Sequence, residues 1–307
     1  MPAMIRPRRS VLYIPGSNPR ALEKARSLPA DGLIFDLEDA VAPAAKERAR
    51  SIVAAALAAT GQTPAGYGMR ERVLRVNALD TPWGESDLGA AAAMPIEAVL
   101  LPKVESAETV RAAVALLDRL AAPERLAVWC MLETPLGILN AREIAAASPR
   151  LEALVLGTSD LTKDLHARHT RDRLPLVTAL GLALLAARAY GLAILDGVEL
   201  DLADDEGFAA SCRQGRELGF DGKTLIHPKQ IAAANLAFAP SPEEIARSRR
   251  IVAAHAEAAA AGKGVVVVDG RVVENLHVAD ARRLLAVAAA IERAAAGDEE
   301  QPRTGLR

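Results

Sequence analysis

The chain is expected to fold as an α/β protein, a closed (β/α)₈ barrel with a C-terminal helix-hairpin-helix lid. Eight short apolar runs recur over the first three quarters of the chain, most of them separated by a helical pattern, which implies a parallel sheet. Eight such units in about 230 residues are what a TIM barrel needs. Most runs also end in a charged or polar residue, as barrel strands do at the active face. An open doubly wound sheet is the runner-up, weakened because no Gly-x-Gly-x-x-Gly follows the first run.

Ser10–Ile14 is the first expected strand, followed by a turn and helix start at Pro15-Gly16-Ser17-Asn18-Pro19. Gly32–Phe35 is the second, ending in Asp36-Leu37-Glu38-Asp39, and an Ala-rich helix covers about Pro43–Ala59. Gly61–Met69 reads as a loop. Strands three and four are Arg72–Val76 and Ala98–Leu101, the latter ending Pro102-Lys103. Ser106 caps a helix to about Leu120, with Glu108 near its positive end. Ala127–Leu132 and Ala153–Leu156 are strands five and six, unbroken apolar runs of the kind covered on both faces. Strands seven and eight are Ala193–Leu195, ending at Asp196, and Gly222–Ile226, ending at His227-Pro228.

The barrel is therefore assigned to residues 1–238 and the lid to 239–296, with a disordered tail at 297–307. In the lid, Ser241 caps a helix to about Ala261, and Val265–Val273 forms a hairpin turning at Asp269-Gly270. A last helix spans about Val278–Ala295. The lid is too small to bury a core of its own.

The 307 residues are 51% apolar but only 3% aromatic, so the core is built from small aliphatic side chains. A net charge of −2 provides no basic field for nucleic acid or acidic membrane. Leu174–Leu195 is interrupted by Pro175, Arg188 and Gly191 and is read as a core helix and a strand, not a membrane span. Two cysteines and no signal-peptide pattern point to a reducing, cytoplasmic setting.

Glu133 and Asp160 close strands five and six, 27 residues apart (160 − 133), about one β-α-β step. Acids at neighbouring strand ends converge, and without Cys or His beside them they suit Mg²⁺ before Zn²⁺. A shared-proton pair, or an ion pair with Arg75, is the alternative. Arg75 either balances buried acids or binds a carboxylate or enolate oxygen. Asp39 either caps the next helix or joins Glu38 at the mouth. Lys103 is either solvated or neutralises substrate. Asp196 and Glu199 are assigned to local loop groups, His227 to a turn, and the remaining histidines to the surface. Nothing resembles a nucleophile elbow or a Cys-His pair.

Taken in order, the motifs resemble the citrate lyase β-subunit-like group of the HpcH/HpaI aldolase and citrate lyase family. They are Arg9–Gly16, Phe35–Val41 with Pro43, Lys46 and Arg50, Leu74–Asn77, Leu101–Ser106, Leu132–Pro135, Leu156–Leu161, Gly222–Pro228 and Asn275–His277. The resemblance spans nearly the whole chain. It implies a barrel with a lid, Mg²⁺, homo-oligomers (trimers or hexamers) and short β-hydroxy acyl-CoA substrates with a second carboxylate. It makes Glu133 and Asp160 metal ligands, Arg75 substrate-binding, and Glu38 and Asp39 a second acidic pair. Glu133 and Lys103 would face substrate, and the turn with Pro15, Gly16, Ser17 and Arg20 would receive CoA. The family's lid Asp, which acts in a neighbouring subunit, is matched by Glu274. A second departure is the loop Lys163–Arg173, which lacks a short Gly-rich turn and bears on substrate identity. The expected activity is Mg²⁺-dependent carbon–carbon cleavage of a malyl-CoA or citramalyl-CoA type ester into an acyl-CoA and a 2-oxo acid. The alternatives are thioester hydrolysis on the same scaffold and a citrate lyase-type subunit acting on a carrier-protein thioester.

Overall fold

A computed structural model describes residues 6–58, 66–260 and 265–299. The chain divides into two compact units, Arg8–Phe238 and a second made of Ala239–Arg307 with Met1–Pro7.

In the first unit the strands β1 (Ser10–Pro15), β2 (Gly32–Asp36), β3 (Glu71–Arg75), β4 (Ala98–Leu101), β5 (Ala127–Leu132), β6 (Leu151–Leu156), β7 (Ala193–Asp196) and β8 (Gly222–Leu225) close a barrel in sequence order. Every neighbouring pair is parallel, including β1 with β8. The intervening helices are α1 (Pro19–Ala25), α2 (Lys46–Ala58), α3 (Gly84–Ala93), α4 (Ala107–Arg119), α5 (Pro135–Leu139) with α6 (Ala141–Ala145), α7 (Thr158–Asp164) with α8 (Val177–Ala189), α9 (Asp205–Leu218) and α10 (Ile231–Phe238). The barrel expectation is met, and the doubly wound alternative falls because β1 pairs with β8.

Strand alternation sorts the apolar residues into two layers. Val11, Ile34, Val73, Leu100, Trp129, Met131, Val155 and Leu195 fill the interior, with Tyr13 packed against them. Leu12, Leu33, Leu74, Val99, Val128, Leu154 and Ile194 face outward and pack with the helices. The outer cluster is rich in Ala, as expected from a chain with few aromatics.

Local chemistry explains most element boundaries. Ser106 accepts from Thr109 N and caps α4, as expected. Thr134 and Asp204 do the same for α5 and α9. The helix expected over Pro43–Ala59 opens with a 3₁₀ turn at Pro43–Ala45 before α2, and its last residue lies outside the described residues. Most of the expected Gly61–Met69 loop also lies outside them. Strand three sits one residue earlier than expected, because Glu71 is held in it by a bidentate contact with Arg8. Leu174–Leu195 resolves into a short 3₁₀ turn, α8 and β7, and no described helix is long and apolar enough to cross a membrane.

The second unit comprises α11 (Pro242–Ala260), the hairpin β9 (Val266–Val268) and β10 (Arg271–Val273), and α12 (Asn275–Glu299). Asp269 and Gly270 both take positive φ, 50° and 75°, the conformation of the two-residue turn expected there. The final helix is longer than Val278–Ala295, beginning at Asn275 directly after the hairpin. Residues 300–307 of the expected tail lie outside the described residues. The expectation that this unit has no core is corrected: Ile251, Val268, Val273, Val278 and Ala281 form a small buried cluster.

Candidate active site

The C-terminal ends of the barrel strands carry the charged residues singled out in the sequence. Alternation on β2 and β3 makes Asp36 and Arg75 inward-facing, like Ile34 and Val73 before them. Arg75 is central. Its Nε and Nη2 donate to the two Asp36 carboxylate oxygens at 2.7 and 2.6 Å. Its remaining nitrogen, Nη1, lies 3.0 Å from Glu38 Oε2 and 3.7 Å from Asp39 Oδ2. The bidentate edge proposed for a substrate carboxylate is therefore occupied by Asp36, and Nη1 is turned to Glu38 and to Met131 Sδ.

Lys103 follows β4 with φ 49°, a left-handed conformation that costs a residue with a side chain about 1 kcal/mol or more. Its backbone N–H donates to Glu133 Oε1 at 2.7 Å. Its ammonium pairs with Glu38 and lies 3.5 Å from Asp39 Oδ1. Lys103 is thus tied into the acidic pair rather than simply solvated. Asp39 does not cap the following helix, whose cap position is Ala42 with no side-chain bond. Asp36 organises that loop instead, accepting from Glu38 N and Ala40 N. Lys46, a motif residue, holds the same loop through the carbonyls of Leu37 and Glu38.

Glu133 is 2% exposed. Burial pushes its carboxyl up to about 7, outweighing the hydrogen bond and charge of Lys103. Burial also raises Glu38, although Arg75 and Lys103 oppose it. On Asp39 burial acts the same way, but the two cations prevail and hold the carboxyl below its ordinary range. Arg75 is raised and stays charged, since its bonds to Asp36 exceed the cost of burial.

Gly157, after β6, packs directly on Glu133: a Cβ there would lie 2.3 Å from Glu133 Cβ. Its N–H donates to Leu132 O at 3.1 Å, joining the ends of β5 and β6. Asp160 lies three residues on (160 − 157), half-buried in the first turn of α7. Between them Ser159 Oγ is buried with no hydrogen-bond partner. No group of three or more His, Cys, Asp or Glu is arranged around a metal position among the described residues.

The turn after β1 is bound to the same centre. Gly16 N donates to Asp36 O at 2.8 Å, and a Cβ at Gly16 would meet that oxygen at 2.8 Å. Pro15 is half-buried, Ser17 and Arg20 are exposed, and Asn18 caps α1 through Arg20 N and Ala21 N. Glu274 is exposed in the second unit, where its carbonyl accepts from His277 N and Val278 N at the start of α12.

The sequence reading assigned no role to Asp36 or Arg173 and only a local one to Asp196. Asp36 lies inside a quoted motif, and the alternation Ile34, Asp36 was the signal for it. Asp196 does more than satisfy its loop: fully buried, it binds Arg173 at 2.6 Å and Lys223 at 2.9 Å, and Lys223 is itself 1% exposed. Arg173 carries no sequence signal, because only the folded loop brings it there. His227 fixes its turn as expected, its Nδ1 accepting from Lys229 N.

The family model of HpcH/HpaI aldolase/citrate lyase matches residues 9–228. A (3S)-malyl-CoA thioesterase of Cereibacter sphaeroides is 53% identical over 285 residues, covering 93% of this chain and 96% of that protein. The citrate lyase subunit beta of Escherichia coli is 37% identical, covering 91% and 93%. A crystal structure of the protein CitE from Mycobacterium tuberculosis in complex with magnesium, acetoacetate and coenzyme A superposes with a TM-score of 0.72 at 33% identity, covering 94% of this chain and 100% of that one. With its eight-stranded barrel and its charged mouth, the chain belongs to the HpcH/HpaI aldolase/citrate lyase family.

Proposed function

We propose that the protein hydrolyses the thioester of a short hydroxy-dicarboxyl acyl-CoA of the malyl-CoA type, with Glu133 and Asp160 holding Mg²⁺. The observation that carries the reading is the buried Glu133 carboxyl, held by Lys103 N–H at 2.7 Å at the barrel mouth and pushed up to about 7 by burial, close to Arg75, whose Nη1 is shared between Glu38 and Met131. Hydrolysis is placed ahead of carbon–carbon cleavage because of the relatives named thioesterase, which are 52–53% identical over 93% of this chain.

The donor set fits the metal. Two carboxylates and no soft ligand suit a hard cation that keeps water and substrate oxygens in its shell. A buried carboxyl raised by desolvation is also one that a cation would return to its charged form. When bound, the ion would supply Lewis-acid polarisation of substrate oxygens.

The chain's own residues would do the rest. Lys103 N–H holds Glu133 in place, and Gly157 leaves room for it. Asp36 fixes the guanidinium of Arg75 so that Nη1 lies between Glu38 and Met131. From that position it would stabilise the oxygen of the thioester carbonyl, which becomes negative when water adds. Collapse breaks the C–S bond, the CoA sulfur takes a proton and the free acid remains. Pro15, Gly16, Ser17 and Arg20 are proposed to receive the CoA moiety.

Carbon–carbon cleavage is the second reading, favoured by the citrate lyase β relatives. It would give Glu274 of a neighbouring copy the proton exchange that the family resemblance implies. One experiment separates the two. The protein, Mg²⁺ and a panel of malyl-, methylmalyl- and citramalyl-CoA are incubated, and free thiol and 2-oxo acid are followed together. Thiol without 2-oxo acid is the expected result. A 2-oxo acid with the thioester intact would overturn hydrolysis in favour of the lyase.

A further inference from the structure

We propose that Tyr13 is a substrate-contacting residue: its hydroxyl and Arg75 Nη1 together bind the oxygen of the thioester carbonyl. Two donors converge on one poor acceptor. Tyr13 Oη donates to Met131 Sδ at 3.6 Å, and Arg75 Nη1 approaches the same sulfur at 3.6 Å. A thioether is a weak acceptor, so two of the strongest donors at the mouth are left under-satisfied. Nη1 carries two hydrogens, so its contact with Glu38 at 3.0 Å leaves the second free for the sulfur side.

Position supports the assignment. Tyr13 alternates inward with Val11 at the C-terminal end of β1, on the interior side of the barrel. Its sequence neighbours Leu12 and Ile14 are 1% and 4% exposed, while Tyr13 is only half-buried. Its hydroxyl is enclosed within the barrel, turned to Met131. The Arg75 guanidinium carbon stands 4.8 Å from the centre of the ring, so ring and cation are stacked. Burial and the nearby carboxylates Glu133, Asp36 and Glu38 raise the phenol, against the pull of Arg75, and it remains a donor at any working pH.

An oxygen entering beside Met131 would meet a phenol O–H and a guanidinium N–H at once. Such a pair is matched to an oxygen that gains charge as the reaction proceeds. Hydrolysis puts that charge on the thioester oxygen as water adds, and carbon–carbon cleavage puts it there as the acyl half leaves as an enolate. The inference rests on the thioester chemistry proposed above but holds under either course.

Tyr13→Phe removes the hydroxyl and keeps the ring under Arg75. In the assay above, kcat is expected to fall roughly tenfold to a hundredfold, less than for a sole oxyanion donor because Arg75 remains. Tyr13→Leu, which also removes the ring, is expected to fall further. A kcat within twofold of wild type for Tyr13→Phe, with or without a change in KM, would overturn the proposal. If the wild type turns over none of the panel, the thioester reading has failed, and calorimetric titration with acetyl-CoA then decides on Tyr13. Weakening by severalfold in Tyr13→Phe supports the contact, and equal affinity overturns it.

Discussion

Gly157→Ala tests how Glu133 is seated. The φ of Gly157 is −99°, a value any residue adopts, so the substitution acts through space alone. The new Cβ would lie 2.3 Å from Glu133 Cβ and 2.5 Å from its Oε2, whereas ordinary contact begins at 3.4 Å. About 1.1 Å (3.4 − 2.3) must be found, and the Glu133 Cβ moves only with its backbone. Overpacking of this kind costs about 1–3 kcal/mol. A displacement near 1 Å at a reacting group costs on the order of a hundredfold in rate. The expected outcome is a kcat/KM lowered by about two orders of magnitude, with Tm lower by only a few degrees. Gly89→Ala and Gly181→Ala are the controls: both lie within helices, and a Cβ at either meets nothing within 4 Å. They are expected to match or slightly exceed wild-type stability. A Gly157→Ala protein with wild-type kcat/KM would refute the argument that Glu133 needs this space.

Glu133 makes stability depend on pH. Its folded-state pKa of about 7 exceeds its ordinary 4.5, so the folded chain binds the proton more tightly and loses stability as pH rises through that window. The loss is on the order of 3 kcal/mol at pH 8, the free energy of holding a carboxyl at about 7 in place of its ordinary 4.5. Metal-free Glu133→Gln is therefore expected to melt above wild type at pH 8, with the gap closing near pH 5, and added Mg²⁺ to raise only the wild type; equal melting at both pH values would count against it. Asp36→Asn removes the bidentate countercharge of buried Arg75, leaving Glu38 and Asp39 opposite Nη1, and is expected to cost about 3 kcal/mol by denaturant melts, with a larger loss of kcat than Asp39→Asn. Asp196→Asn leaves Arg173 and Lys223 buried without a countercharge, and a comparable loss of about 3–5 kcal/mol is expected.

The barrel was legible because its signal is local and repeated: each apolar run with its helix is a short-range pattern, and the pairing of β1 with β8 then decides for closure. Caps such as Ser106 and the Asp269-Gly270 turn were legible for the same reason, since each concerns a few consecutive residues. Glu133, Asp160, Arg75, Glu38, Asp39 and Lys103 were marked by their places at strand ends. Their partners were not. Asp36 was passed over because a strand's final residue shows its facing only when the alternation is carried one step further.

What the sequence by itself determined was the order of the elements, the face of the barrel that carries charge and the family. What the tertiary structure decided was how those charges are paired. It gave the bidentate edge of Arg75 to Asp36, turned Nη1 and the Tyr13 hydroxyl toward Met131, and enclosed Asp196 between Arg173 and Lys223. Pairing depends on distances of about 3 Å between residues dozens of positions apart, and on desolvation that exists only once the barrel has closed. Neither is encoded in any local run of the chain, so the chemistry of the mouth becomes readable only when the strands stand side by side.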